Sequence, residues 1–162
     1  MTARRNDELV DLLSVDFVRI IDLGAWLGSA IEVGVWLPAI VGTTTAGSLT
    51  YDPQDGRYCR IGPLVHAWFD FAIASIVEAP TGNVQIAGLP YTVEDTINQS
   101  GSISRVLNLA VNVVDVTCAA VANTTRIQLQ RMLAASANHA NMPANNIQVA
   151  SSFRGHVVYL AG

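Results

Sequence analysis

The sequence predicts an all-β fold, an antiparallel β-sandwich, and three observations carry that prediction. From Val35 onward apolar residues recur with a period of two, the signature of strands with one face inward. The connections between these runs, "GTTTAG", "YDPQDGR", "EAPTGN", "EDTINQSGS" and "ASANHANMPANN", are rich in Gly, Pro, Asn and Asp, as turns require. A helical period is almost absent beyond the first 33 residues, and no repeat of about 20 to 50 residues suggests a propeller or solenoid. A chain of 162 residues then accommodates one sandwich, residues 34–162, and a short N-terminal attachment segment, residues 1–33.

The N-terminal segment reads in two ways. Leu9, Leu12, Leu13, Phe17, Ile20 and Ile21 fall at helical spacing behind Asn6 as an N-cap, yet "FVRIID" is β-branched, so the sequence is read as a short helix followed by a strand. "LGAWLGSAIEVG" follows as an irregular stretch, and a segment this short has to dock on something else. "GRYCRIGPLVHAWFDFAIASI", residues 56–76, reads as one long strand. Val65, Ala67, Phe69, Phe71 and Ile73 take its core face; Leu64, His66, Trp68, Asp70 and Ala72 take the other. "NVQIAGLP" turns Val84 and Ile86 inward before a glycine and a proline stop it. "VLNLAVNVVDV" reads as a strand with Leu107, Leu109, Val111 and Val113 together, and "RIQLQRML" sets Ile127 and Leu129 inward. The last strand, "FRGHVVYLAG", places Val157 and Tyr159 on one side, His156 and Val158 on the other.

Composition excludes several classes of function. The apolar share is 51% and the charged share only 14%, low for a free monomer, which implies apolar surface covered by other chains. Uninterrupted apolar runs fall far short of the roughly 18 residues of a membrane span, so no membrane partner is expected. The start lacks a signal-peptide pattern, which predicts assembly in a cytoplasm. Net charge is −4 and the nine cationic residues are scattered arginines, so no nucleic-acid footprint is present. Cys59 and Cys118 lack metal-ligand spacing and read as buried, reduced fillers; no cofactor or metal is expected.

The sequence contains no catalytic motif and no cluster of histidines with carboxylates. His66 and Asp70 share a face but stand about 13 Å apart along a strand. An outward His66, Trp68 and Asp70 needs a cover: a second sheet or loops, a subunit interface, or a glycan stacked on the indole. Tyr91 and His139 are loop candidates for recognition, His139 within "ASANHANMPANN". Leu9, Leu12, Leu13 and Phe17 are candidates for N-terminal docking.

Four motifs occur in an order that resembles the β-sandwich domain at the C-terminal ends of bacteriophage tail-fibre and related virion proteins. These are Gly34, Trp36 and Pro38; Gly56, Tyr58, Arg60, Ile61 and Gly62; Gly88, Leu89, Pro90 and Tyr91; and Phe153 with Gly155. Leu37 and Cys59 depart from the pattern, and "EDTINQSGS" is longer than is typical. The resemblance implies a jelly-roll-like sandwich that assembles as a homotrimer in a virion, with no chemistry of its own. The implied partners are further copies of itself, a capsid or tail protein of the virion and a host-surface glycan, in decoration or host adhesion. The short head implies an attached knob instead of a long fibre. A carbohydrate-binding module is the alternative reading. A hydrolase using Asp70 and Glu94 is a third, which would need carboxylates roughly 5 to 10 Å apart.

Overall fold

The computed structural model describes residues 30–96 and 98–162, and the chain divides into two units at Glu32/Val33. Leu9, Leu12, Leu13 and Phe17, with the helix-or-strand reading around them, lie outside the described residues. From residue 33 to 162 the fold is an antiparallel β-sandwich.

Its strands are β1 (Ile31–Trp36), β2 (Ala39–Gly42), β3 (Ser48–Ile61), β4 (Leu64–Glu78), β5 (Val84–Ala87), β6 (Gln99–Leu107), β7 (Asp115–Ala120), β8 (Arg126–Met132), β9 (Ala140–Asn141) and β10 (Ser152–Leu160). They follow the spatial order β1-β3-β4-β10-β6-β7-β8-β5-β2, with β9 on β8. Strand β6 links the two layers: Gly101–Leu107 pairs with β10 in one, and Gln99 and Ser100 pair with β7 in the other. The terminal strands of this order, β1 and β2, are joined by Leu37 and Pro38 alone, so the sheet must curl until its two edges meet.

Trp36 fastens that closure. Its ring is buried, packs edge-on against Phe69 at 6.3 Å, and its Nε1–H donates to the carbonyls of Arg57 (3.2 Å) and Trp68 (3.0 Å), residues directly opposite each other in β3 and β4. Gly56 permits the approach, because a Cβ there would sit 2.5 Å from the Trp36 carbonyl oxygen. The core between the layers contains Val65, Ala67, Phe69, Phe71 and Ile73 of β4, Val84 and Ile86 of β5, Ile127 and Leu129 of β8, and Phe153, Val157 and Tyr159 of β10, as the period-two pattern predicts. Phe71 stacks obliquely on Phe153 at 5.6 Å and meets Tyr51 edge-on at 5.7 Å.

Five local expectations require correction. The run 56–76 is a hairpin, not one strand: Gly62, at φ +57°, and Pro63 form a two-residue turn, and Ile61 pairs with Leu64. "YDPQDGR" is no connection; it lies inside β3 as an irregularity between Tyr51 and Gln54. The irregular stretch ends earlier than expected, since β1 starts at Ile31. Strand β6 stops at Leu107 because Asn108 adopts φ +55° and its Nδ2 donates to the Ala150 carbonyl at 3.0 Å; residues 108–114 are a loop. Cys118 is buried, its thiol pushed up to about 12 by burial, but Cys59 is only half-buried and lies on the outer face.

Candidate functional site

Alternation along β4 sends His66, Trp68 and Asp70 to the side away from the core, and the register of its neighbours builds rows across them. Arg57, Trp68, His156 and Ser102 form one row; Cys59, His66 and Val158 form a second; Asp55, Asp70, Arg154 and Arg105 form a third. Ile61, Leu64 and Leu160 extend the face with exposed apolar side chains. On the flank, β1 presents Val33 and Val35 at 73% and 78% exposure, against 42% for Trp68. Between that flank and Trp68 runs an open groove of about 920 Å³, whose outer-face lining includes Val33, Val35, Arg57, Cys59, Trp68 and His156. It has room for several side chains of a partner.

His66 and Trp68, two positions apart on one strand, stack at 3.9 Å with their planes 29° apart. Despite the stacking, Trp68 keeps part of its surface in solvent. His156 stands edge-on to His66 at 5.0 Å, and His66 Nε2 is buried without a hydrogen-bond partner. Burial, followed by the proximity of His156, holds His66 below the usual imidazole range, so it is neutral at pH 7. Asp70 is neutralised locally. Arg154 donates to its Oδ2 from Nε at 2.9 Å and also from a terminal nitrogen, and Arg105 lies 3.5 Å from Oδ1. Asp55 and Arg57, exposed two positions apart on β3, make no ion pair among the described residues.

The loop candidates lie elsewhere. Tyr91 is half-buried, edge-on to Tyr58 at 5.7 Å, with the Arg60 guanidinium 4.3 Å above its ring; its backbone N–H donates to the Tyr159 hydroxyl at 3.3 Å. His139 meets Asp115 through Nε2 at 2.9 Å, tying the β8–β9 connection to β7. The structure therefore brings His66, Trp68 and Asp70 into one site and separates Tyr91 and His139 from it. Sequence reasoning missed Val33, Val35, Arg57, Arg154 and the juxtaposition of His156 with His66. The outward side of the last strand was readable, but its place beside β4 was not. Among the described residues no group of three or more His, Cys, Asp or Glu is arranged to hold a metal ion, and no helix is long and apolar enough to cross a membrane.

No protein-family model and no curated protein matches the chain. Among solved structures the fold is similar to that of the Dettilon tailspike protein, with a TM-score of 0.63 and 18% sequence identity over 78% of this chain. The matched part is 23% of the tailspike, so this chain corresponds to less than a quarter of that protein's length. The likeness is one of fold.

Proposed function

We propose that this protein is a non-enzymatic bacteriophage virion component, a short knob whose jelly-roll-like sandwich assembles as a homotrimer through the outer face of β1, β3, β4 and β10. The observation that carries the reading is that face itself. Val33, Val35, Ile61, Leu64, Trp68, Val158 and Leu160 give one layer of the sandwich an apolar exterior, which a monomer of low charge content is poorly suited to keep in water. The charges on it suit a second copy: Arg57 and Asp55 lack ion-pair partners among the described residues, and in a closed ring the arginine of each copy can meet the aspartate of the next. Likeness to a tailspike supports a place in the phage tail or in adhesion, and the ion pairs that occupy Asp70 support a structural role for it in place of acid–base catalysis.

The N-terminal residues would anchor the knob to a capsid or tail protein of the virion, leaving the sandwich for decoration or adhesion to the host surface. Light scattering on the full chain tests the assembly, with a trimer expected at micromolar concentration and a monomer after Trp68→Arg. A monodisperse wild-type monomer would refute it. The partly exposed Trp68 that lines the groove favours a second reading, a carbohydrate-binding module that stacks a host-surface glycan on that ring. That reading expects glycan binding by the wild type that is lost in Trp68→Ala.

A further inference from the structure

We propose that the contact between copies is an acid-labile lock, opened when His66 and His156 take up protons; the inference rests on the assembly proposed above. Both imidazoles belong to the face that a second copy would cover, one from β4 and one from β10, with their rings 5.0 Å apart. Among the described residues their rows contain no counter-charge. The row of His156 holds Arg57, Trp68 and Ser102, and the row of His66 holds Cys59 and Val158.

The carboxylates of the face lie in the third row. Of these, Asp70 is engaged by Arg154 from β10 and Arg105 from β6, while Asp55 stands directly opposite Asp70. Two imidazolium charges would therefore join the cations Arg57, Arg105 and Arg154 in rows that, among the described residues, hold two carboxylates, one already committed. In the covered state those charges would also be cut off from water, which makes them expensive.

The sign follows from linkage. Burial already holds His66 below the usual imidazole range in the single chain, and a covering copy removes more water from it. His66 then binds its proton more weakly in the assembly than in the free subunit. The His66 contribution to association is intact above the usual imidazole range and is lost as pH falls through its free-subunit value, which lies below that range. Every unit by which covering lowers one histidine weakens association about tenfold per histidine once pH is below both values.

The test is light scattering of the full chain at pH 7.5, 6.5, 5.5 and 4.8, with far-UV circular dichroism to follow the fold, on wild type and on a His66→Asn/His156→Asn double variant. The proposal expects wild type to dissociate between pH 6.5 and 4.8 with its β spectrum intact, and the double variant to remain assembled over that range. A wild type that stays assembled at pH 4.8 overturns the lock and leaves the assembly standing. A wild type already monomeric at pH 7.5 overturns the assembly and the lock with it. Dissociation of both proteins at the same pH assigns the effect to carboxylates and also overturns the lock. Should the double variant not assemble at pH 7.5, histidine NMR titration of the wild type decides. Dissociation must follow the imidazole protonation curves, and a midpoint separated from them by more than one pH unit overturns the proposal.

Discussion

Replacing Trp36 by Phe should destabilise the sandwich by about 2 kcal/mol, about half of it through the loss of a single N–H group. The indole Nε1–H is shared between two strand carbonyls, Arg57 O and Trp68 O, at 3.2 and 3.0 Å. Its loss removes a net hydrogen-bond contribution of about 1 kcal/mol. The smaller phenyl ring occupies the place of the five-membered ring and leaves a void where the outer six-membered ring lay, adding about 1 kcal/mol. Trp36→Ala removes the ring as well, and should be worse by a total of about 3 to 5 kcal/mol. For a domain of this size 1 kcal/mol moves the melting temperature by about 4 °C, so Trp36→Phe should melt about 8 °C lower. Urea unfolding followed by far-UV circular dichroism measures both variants, with exposed Leu37→Ala as the control expected within about 0.5 kcal/mol of wild type. If Trp36→Phe unfolds within about 0.5 kcal/mol of wild type while Trp36→Ala shows its full loss, ring packing alone closes the sheet and the hydrogen-bond argument is wrong.

Three further outcomes are expected. Burial pushes the Tyr159 hydroxyl up to about 12, so ultraviolet titration should show one tyrosine ionising about two units late. Since the unfolded chain loses that proton near pH 10 and the folded one retains it, stability should fall as pH rises from 10 towards 12, and Tyr159→Phe should flatten that part of the profile. Iodoacetamide on the native protein should alkylate the half-buried Cys59 first and reach Cys118 only on unfolding; protection of Cys59 at concentrations where copies associate would locate the contact on its face. Asn108→Ala should cost about 1 to 2 kcal/mol in chemical unfolding, because it places Cβ chemistry without a compensating hydrogen bond at φ +55° and removes the bond to Ala150; no loss would mean the loop is held by Ser151 and Asn146 instead.

The inward faces were legible because burial in a two-layer sandwich imposes a period of two on each strand. Val65 to Ile73, Ile127 with Leu129, and Val157 with Tyr159 all fall where that period puts them. Turns were less legible where strand-forming residues flank a short break. The apolar and aromatic residues on both sides of Gly62 and Pro63 hid a two-residue hairpin within the run, and the regular leucines and valines of "VLNLAVNVVDV" hid the left-handed Asn108. Arg60-Ile61-Gly62-Pro63 was the available signal for the first; nothing local marked the second. Of the site, the three β4 side chains were visible because they share one strand. Arg154 reaches Asp70 across 84 positions, and His156 reaches His66 across 90, through a register between distant segments that no linear pattern records.

The position of β10 has a bearing on how the protein is made. It is hydrogen-bonded to β4 on one side and β6 on the other, aligning residues 64–72 with residues 152–160. A nascent chain emerging from the ribosome therefore has the long, apolar β4 and the shorter β6 with open edges until Ser152–Leu160 arrives. Folding of the outer layer has to wait for those residues and is slow, as for other topologies dominated by distant pairings. Loss of those nine residues would deprive the core of Phe153, Val157 and Tyr159 and expose two ready strand edges at once, so the expected product is aggregate in preference to a smaller folded domain.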